Sequence, residues 1–164
     1  VAQTPDAALM WHTGAAMRSV QMASALAHSL EYCVAYATER VQFGRPLAKF
    51  QAIQQQLAVL ASLSTQASVA ARRAFVALDG ADVQFAVAAA KTSVGQAASQ
   101  GVSIAHQSHG AMGFTAEYGL HRLTRRIWTW REEFGNEAWW SRRLGQIVAH
   151  NGADQLWKSM VAEP

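Results

Sequence analysis

The chain has 164 residues, a formal net charge of +3, 51% hydrophobic residues and 15% charged residues. Such an apolar, weakly charged chain can bury a core, which excludes an intrinsically disordered protein. Scattered arginines argue against a nucleic-acid partner, and no apolar run is long enough to span a bilayer. The single cysteine, Cys33, excludes an internal disulfide and favours a reducing, cytoplasmic compartment. The length predicts one domain over residues 1–164.

The first predicted element is a long helix from about Ala8 to Val41. Its apolar residues recur at alternating three- and four-residue steps, which is typical of a helix with one buried stripe. This stripe comprises Val20, Ala23, Ala27, Leu30, Val34, Ala37 and Val41. Cys33 lies among apolar neighbours, which favours a packed, unreactive thiol over a nucleophile. Gly44 and Pro46 end the helix, because glycine permits a left-handed turn and proline cannot continue it.

Two more long helices and two shorter ones are predicted. The second runs from about Lys49 to Leu78, and its inward residues are Phe50, Ile53, Leu57, Leu60, Ala67 and Ala71. The third covers about Val83 to His109, with Asp82 as its expected cap. Its apolar side comprises Val83, Val87, Ala90, Val94 and Ala97. A shorter helix is predicted from about Ala116 to Trp130, and a final one after Asn136.

No segment alternates between apolar and polar residues as a strand would. The predicted fold class is therefore all-α, an antiparallel helical bundle of three long and one or two shorter helices with short connections. The abundant alanines of the inner faces allow the helices to approach closely.

The end of the first helix forms a distinctive corner, Arg40-Val41-Gln42-Phe43-Gly44-Arg45-Pro46-Leu47, followed by Phe50-Gln51. We expect Arg40 in the last helical turn, where a cation complements the helix dipole. Phe43 can anchor the corner in a neighbour, and Gln42 and Gln51 add amide donors suited to phosphate groups and adenine edges. The same residues could also make nothing more than a well-formed helix end.

A second corner, Gln107-Ser108-His109-Gly110-Ala111-Met112-Gly113-Phe114, follows the third long helix. Gly110 and Gly113 allow the backbone to come close to a ligand, although a tight turn uses glycines in the same way. His106 and His109 stand three residues apart, but no carboxylate or third histidine is placed to complete a metal site. We therefore expect no metal.

Together the two corners resemble the C-terminal helical domain of acyl-CoA dehydrogenases, and the resemblance extends from about Ala8 to Leu144. It implies an FAD cofactor that is shared across a subunit interface. By this resemblance Arg40 and Phe43 reach the pyrophosphate and adenosine region of the FAD bound by a neighbouring protomer. The implied residues beside them are Gln42 and Gln51, and those at the adenosine diphosphate part are Gln107, Gly110 and Ala111. Ala111 replaces a glycine that is common at this position.

The same resemblance implies a carboxylate base that removes the acyl α-proton while a hydride leaves the β-carbon for flavin N5. Many members carry the base in a Tyr-Glu-Gly-Thr segment, and counting from Glu117-Tyr118 puts Phe134 at the glutamate position. Other members carry it on the first long helix, at a position that corresponds to Gly14, followed by an arginine that corresponds to Ala15. Both base positions lack a carboxylate. Glu133 is the remaining candidate, although one residue along a helix or turn swings a side chain by about 100°.

Two groups of side chains have open interpretations. Arg122, Arg125 and Arg126 either stabilise carboxylates between domains or steer an anionic CoA ester. The tryptophans Trp128, Trp130, Trp139 and Trp140 either pack together at a helix end or form an aromatic subunit interface.

The resemblance therefore implies the C-terminal domain of a bacterial acyl-CoA dehydrogenase-like flavoprotein for α,β-dehydrogenation of acyl-CoA thioesters, which supplies oligomer contacts and part of the FAD site of a neighbouring subunit. Because both base positions lack a carboxylate, we expect the parent to be a non-catalytic subunit paired with a catalytic homologue. Because the chain starts at Val1, we expect it to be part of a larger protein. The resemblance covers only one third of a dehydrogenase architecture and lacks the N-terminal helical domain and the middle β-domain that shelters the flavin ring, so we expect the chain to be inactive alone. The expected partners are the acyl-CoA substrate of the parent protein, homologous subunits in a homo- or hetero-oligomer (dimer or tetramer), and an electron-transfer flavoprotein. Two alternatives remain: a complete enzyme with its base at Glu133, and a flavin-free helical interaction module.

Overall fold

A computed structural model describes residues 7–80 and 82–161. It contains six α-helices, one short hairpin and three short 3-10 helices. The α-helices are α1 (Ala7–Glu39), α2 (Gln51–Val76), α3 (Val83–His109), α4 (Leu120–Glu132), α5 (Glu137–Asn151) and α6 (Ala153–Val161). The strands are β1 (Val41–Gln42) and β2 (Arg45–Pro46), and the 3-10 helices are Leu47–Lys49, Ala77–Asp79 and Gly110–Phe114.

The three long helices pack with α2 antiparallel to α1 and α3. One apolar cluster joins Ala15 near the start of α1 to Ala74 at the end of α2 and Val87 near the start of α3. At the opposite end Cys33 of α1 approaches Ala105 of α3. The C-terminal ends of α1 and α3 therefore lie side by side. The all-α bundle predicted from the sequence is confirmed.

The central core is built largely from small side chains. Its largest cluster comprises Met22, Ala23, Leu26, Cys33, Leu60, Ala67, Ala71, Val94, Ala97, Ala105 and Leu120. A Cβ added at Gly101 of α3 would lie 2.5 Å from a methyl carbon of Leu26 and 3.1 Å from one of Leu60. Glycine and alanine therefore bring α1, α2 and α3 into close contact, as the sequence predicted.

The predicted valine stripe of α1 is wrong in part. Ala23 and Ala37 are buried, but Val20, Val34 and Val41 are exposed. Helix α1 packs against α2, α3 and α4 together, so its buried surface is broader than one stripe and is centred elsewhere. The buried residues of α1 are Ala15, Ala16, Ser19, Met22, Ala23, Ala25, Leu26, Ser29, Cys33 and Ala37.

The predicted helix boundaries and caps differ from the structure at several places, among them the start of α2 at Gln51 and the start of α4 at Leu120. Helix α1 ends at Glu39, so Arg40 follows the helix instead of lying in its last turn. Asp82 makes no side-chain capping hydrogen bond to α3. The segment after Asn136 forms two helices, because Gly152 adopts a φ of 81° between α5 and α6. The predicted starts of α3 and α5 agree with the structure, and Asn136 caps α5 by accepting a hydrogen bond from the Trp139 amide at 3.1 Å.

The hairpin after α1 is a departure from helical structure that the sequence did not predict. Its strands are antiparallel, with Val41 opposite Pro46 and Gln42 opposite Arg45. Strands of two residues are too short to show alternation. The turn residues Phe43 and Gly44 have φ values of 52° and 80°, and two positive φ values are typical of a tight hairpin turn.

None of the helices among residues 7–80 and 82–161 is long and apolar enough to cross a bilayer.

Candidate functional site

The two corners singled out in the sequence lie at the same end of the bundle. Tyr36, near the end of α1, stacks on His109 at the end of α3 with 4.6 Å between ring centroids. Tyr118 packs against both rings, at 5.8 Å from Tyr36 and 4.9 Å from His109. This aromatic group joins the base of the hairpin to the start of the second corner, so both corners face solvent from one end.

The hairpin presents an aromatic ring that its own domain hardly covers. Phe43 is 90% exposed, and its ring centroid lies 6.2 Å from that of Phe50. Arg45 places its guanidinium carbon 4.2 Å from the Phe50 ring centroid, so this cation is engaged locally. Arg40 is exposed and forms no ion pair within the part of the chain that the structure describes.

The backbone around Arg40 is well ordered by hydrogen bonds. Its amide donates to the Tyr36 carbonyl at 2.9 Å, and its carbonyl accepts from the Leu47 amide at 2.9 Å. Gln42 donates from Nε2 to the Val41 carbonyl at 2.9 Å, while Gln51 is exposed at the start of α2. The backbone hydrogen bonds hold the hairpin in place, and the side chains of Arg40 and Gln42 are exposed on it.

The second corner combines one glycine that faces open space with one that does not. Gly110 has φ 59° and ψ −141°, a conformation almost confined to glycine, and no atom lies within 4 Å of a Cβ added there. Gln107 and Ala111 are exposed beside it. Gly113 is buried, and an added Cβ would lie 3.1 Å from His106 Nδ1 and from His109 Cβ. The expectation that Gly113 opens the backbone to a ligand is therefore wrong, since it is needed for close packing.

The histidines of this corner serve packing. His106 stacks on Phe114 at 4.2 Å and its Nε2 lies 3.0 Å from Thr124 Oγ1, while His109 Nδ1 lies 2.8 Å from the Ala105 carbonyl oxygen. Burial lowers the pKa of both histidines. No group of three potential metal ligands occurs among residues 7–80 and 82–161.

Cys33 is fully buried, and burial raises the pKa of its thiol to about 12. A thiol of this kind stays protonated and unreactive at neutral pH.

Phe134 and Gly14, the two residues that the resemblance aligns with base positions, meet in space. The Phe134 ring lies directly against Gly14, and a Cβ added at Gly14 would lie 2.6 Å from both Phe134 Cδ1 and Cζ. Phe134 and Gly135 both adopt left-handed φ values, 56° and 85°. Trp11 packs edge-on against Phe134 at 5.5 Å. The ring of Phe134 therefore fills the space beside Gly14.

The turn that carries Phe134 is held from two other helices. The Trp140 indole of α5 donates to the Phe134 carbonyl at 2.8 Å. Lys91 of α3 is only 1% exposed, and its Nζ donates to the carbonyls of Trp130, Arg131 and Glu133 at 3.2, 3.1 and 2.9 Å. Burial lowers the pKa of this lysine to about 8.

Sequence reasoning missed Lys91, although a signal was present. It is the only lysine, arginine or carboxylate residue of α3 and lies between Val87 and Val94 on the predicted apolar side. A charged residue in that place is expected to be paired or fully hydrogen-bonded.

Glu133 is ion-paired with Arg18 of α1, which also donates to Gln21 Oε1 at 2.5 Å. Its carboxylate is therefore held beside Arg18, while the neighbouring Phe134 lies over Gly14. A second ion pair bridges the turn: Arg131 of α4 binds both carboxylate oxygens of Glu137 at the start of α5. Burial acts to raise the pKa of Glu137, but hydrogen bonds and the Arg131 charge outweigh it and lower this pKa.

The four tryptophans do not form one cluster. Trp140 is 1% exposed and Trp130 packs against the core, whereas Trp128 and Trp139 are 41% and 45% exposed. Trp139 and Trp140 contact each other at 4.6 Å, and Trp11 joins Trp139 at 6.1 Å. These three indoles line part of a cleft of about 540 Å³, which Arg142 and Arg143 also line.

Three arginines of α4 face solvent. Arg122, Arg125 and Arg126 are exposed and form no ion pair within the described residues. The structure therefore leaves both interpretations of these arginines open.

The fold and the turn geometry define an all-α bundle domain, and comparison with known proteins identifies its family. Residues 9–147 match the family described as acyl-CoA dehydrogenase, C-terminal domain, and the chain belongs to this family. This family is a domain of acyl-CoA dehydrogenases, and FAD is the family's cofactor.

The relatives place this domain within longer chains. A 3-(aryl)acrylate reductase of Clostridium sporogenes (strain ATCC 15579) is 34% identical over 115 residues, which cover 70% of this chain and 30% of the relative. The structure of butyryl-CoA dehydrogenase from Megasphaera elsdenii matches with a TM-score of 0.81 and 26% identity, covering 87% of this chain and 38% of that one. A variant of the steroid acyl-CoA dehydrogenase Tcur3481-Tcur3483 matches with a TM-score of 0.75 and 29% identity, covering 82% and 38%. The chain thus spans about a third of the length of these relatives.

The residues that the resemblance assigns to FAD face solvent at one end of the bundle. All seven implied residues are exposed: Arg40, Gln42, Phe43, Gln51, Gln107, Gly110 and Ala111. The open space around Gly110 admits a ligand to the backbone, and the uncovered Phe43 ring offers a surface for a planar group.

Proposed function

We propose that this chain is the C-terminal domain of a flavoprotein that acts in α,β-dehydrogenation of acyl-CoA thioesters. In this proposal it supplies oligomer contacts and part of the FAD site of a neighbouring subunit. The support is the location of both corners at one end of the bundle, with their polar and aromatic groups turned outward. A site contained within one domain would instead bury such groups.

Two groups of the hairpin have the clearest proposed roles. Arg40 offers a guanidinium without an ion pair in the described chain, which suits a pyrophosphate. Phe43 projects an apolar ring beyond the domain, which suits contact with the adenosine region and the adjoining subunit. Gln42 and Gln51 add hydrogen-bonding groups beside them. When bound, FAD supplies the hydride acceptor of the parent enzyme.

The second corner has a complementary proposed role. Gln107 presents an amide at the end of α3, and Gly110 and Ala111 present backbone where side chains leave room. We assign these three residues to the adenosine diphosphate part of FAD. The methyl group of Ala111 narrows the approach relative to glycine but leaves the corner open, because this residue is exposed.

The contact between Phe134 and Gly14 carries the proposal that the parent is a non-catalytic subunit. A phenyl ring cannot accept a proton, and this ring fills the space beside the alternative base position. Such a subunit requires a catalytic homologue as its partner. The similar steroid acyl-CoA dehydrogenase is named for two components, Tcur3481 and Tcur3483, which supports a paired arrangement.

Expression of the parent protein with and without its neighbouring homologue tests the paired arrangement. We expect acyl-CoA oxidation only when both are present, and activity of the parent alone would refute the non-catalytic role. The 164-residue chain on its own is expected to show no flavin-linked oxidation of acyl-CoA. An electron-transfer flavoprotein is the electron acceptor to supply in these assays.

A matched pair of arginine variants tests the FAD site. Arg40→Ala in the parent complex should lower the flavin content, read from the flavin absorbance of the purified protein. Arg72→Ala is the control, because Arg72 is an exposed arginine far from the hairpin. Helix α2 starts next to the hairpin and rises by about 1.5 Å per residue, so Arg72 lies at the opposite end of the bundle. Equal flavin retention in both variants would argue against the proposed site. Absence of flavin from the wild-type complex would favour the flavin-free interaction module.

A complete enzyme with its base at Glu133 is the second candidate. Its support is that the Glu133 carboxylate reaches Arg18 of α1, one helical turn from Gly14. Glu133→Gln should then abolish turnover of the parent, while Glu132→Gln should preserve it. Unchanged turnover in Glu133→Gln would exclude this candidate.

A further inference from the structure

The C-terminal end of α4 is closed by a side chain from another helix. The last carbonyls of any α-helix lack partners within that helix, and a glycine in the next turn often closes such an end locally. Here Glu133 is extended, with φ −68° and ψ 137°, and the first glycine is Gly135. The ammonium group of Lys91 instead binds three of the carbonyls between residues 130 and 133.

The residue next to these carbonyls is held in an unfavourable conformation. A left-handed φ is unfavourable for a residue with a side chain, and Phe134 adopts it at 56°. Its turn is bound on both sides, by Lys91 at the Glu133 carbonyl and by Trp140 at the Phe134 carbonyl. The direction of the residue 134 side chain is therefore set by contacts from α3 and α5.

A buried ammonium group is a costly way to close a helix unless each of its protons is bonded. Lys91 meets this condition, because its three N–H donors match three carbonyl oxygens. A simple structural closure would need only a glycine. The residue that this arrangement fixes is the one that faces Gly14, and strained residues held by their surroundings are concentrated at functional sites.

We propose that Lys91 is a positioning residue for position 134: by binding the carbonyls at the end of α4, it directs the side chain of residue 134 onto α1 at Gly14. This role does not require flavin, so its failure would leave the proposed FAD site untouched. Equally, loss of the FAD proposal would leave the positioning role standing.

Fluorine NMR of the 164-residue chain labelled with fluorophenylalanine tests the proposal. Six phenylalanines give signals, and Phe134→Leu assigns the one of interest. In Lys91→Met we expect the Phe134 signal to shift or broaden while the other signals keep their positions. Lys158→Met, at an exposed lysine of α6, should leave every signal in place. An unchanged Phe134 signal, or an equal change in all signals, would overturn the positioning role.

Chemical restoration of the ammonium group provides a second test. Lys91→Cys in a Cys33→Ala background can be alkylated with 2-bromoethylamine in denaturant and refolded, which yields a side chain nearly isosteric with lysine. The Phe134 signal should return to its Cys33→Ala position after alkylation. A signal that stays displaced in the refolded, alkylated protein would contradict the proposal.

If Lys91→Met does not fold, a pH titration of the wild-type chain tests the positioning role of Lys91 instead. A neutral amine has two donors for three carbonyls, so deprotonation of Lys91 should displace the Phe134 signal. The charged groups that face Lys91 are Glu132, Glu133, Glu137 and Arg18. Coincident titration of the Phe134 fluorine and the Lys91 side-chain nitrogen supports the proposal, and a Phe134 signal constant through that titration overturns it.

Discussion

The indole nitrogen of Trp140 donates a 2.8 Å hydrogen bond to the carbonyl of Phe134, and the Trp140 side chain is almost completely buried. This bond joins α5 to the turn that faces α1. The indole supplies a hydrogen-bond donor to the Phe134 carbonyl, which lies in the turn beyond the end of α4.

Trp140→Phe should destabilise the domain. The substitution keeps an aromatic ring but removes the donor, and an unsatisfied buried carbonyl costs about 1–3 kcal/mol. The measurement is the free energy of unfolding in urea. Trp139→Phe is the control, because Trp139 is 45% exposed and surface substitutions usually change stability by about 0.5 kcal/mol or less. Equal effects of the two variants would contradict the assigned bond.

Gly14→Ala should have opposite effects on stability in two backgrounds. In the wild type the new methyl group would collide with the Phe134 ring, and overpacking costs about 1–3 kcal/mol. In a Phe134→Ala background the collision is gone, and alanine should stabilise α1 by up to about 1 kcal/mol through its higher helix propensity. A double-mutant cycle on urea denaturation measures the difference. Additive effects would show that the ring does not lie on Gly14.

Two exposed glycines should respond differently to alanine. Gly110→Ala should destabilise by about 1–3 kcal/mol, because φ 59° with ψ −141° is strained for any residue with a side chain. Gly145→Ala should stabilise α5 by up to about 1 kcal/mol, since Gly145 lies within the helix and an added Cβ meets no atom within 4 Å. Thermal unfolding of both variants checks the contrast. A loss of stability at Gly145 or a gain at Gly110 would disagree with the backbone described here.

Stability should rise between pH 8 and pH 9. The folded state lowers the pKa of Lys91 from 10.5 to about 8, so above pH 8 the unfolded chain holds a proton that the folded chain has released. The slope for one proton approaches about 1.4 kcal/mol per pH unit. Urea denaturation at stepped pH measures it, and Lys91→Met should lack the rise.

Cys33 should oppose this rise at higher pH. Its folded pKa is raised from 9.0 to about 12, so above pH 9 the unfolded chain loses a proton that the folded chain keeps, and stability falls. Tyr118, whose pKa burial also raises, adds to the fall above its usual value of 10.0. In Cys33→Ala the rise due to Lys91 should therefore continue beyond pH 9. A wild-type curve that declines from pH 8 would contradict the assignment to Lys91.

The sequence was sufficient for the helical fold and for α3, whose apolar side is buried as predicted. It did not correctly predict which residues of α1 are buried, because that depends on how many helices surround α1. The valines at positions 20 and 34 fit a helical period but face solvent. The hairpin escaped prediction because each of its strands contributes only two residues.

In the candidate site, too, local features could be predicted from the sequence and contacts between distant segments could not. Local features such as the left-handed Gly44 follow from residue type, and the structure confirms them with a φ of 80°. Interactions between distant segments do not follow in this way. Arg18 and Glu133 are separated by 115 positions, and Lys91 lies 42 positions before the last carbonyl that it binds. Only the packing of α3 and α1 against the end of α4 brings these groups together.

The hydrogen bonds of Lys91 and Trp140 have an evolutionary consequence. Both are made to main-chain carbonyls, which every amino acid possesses, so they do not depend on which side chain stands at position 134. A substitution at that position can introduce an acidic side chain while the supporting backbone persists. Under the proposed paired arrangement, descendants of one duplicated gene could therefore divide catalytic and non-catalytic roles through residue 134 without remodelling the bundle.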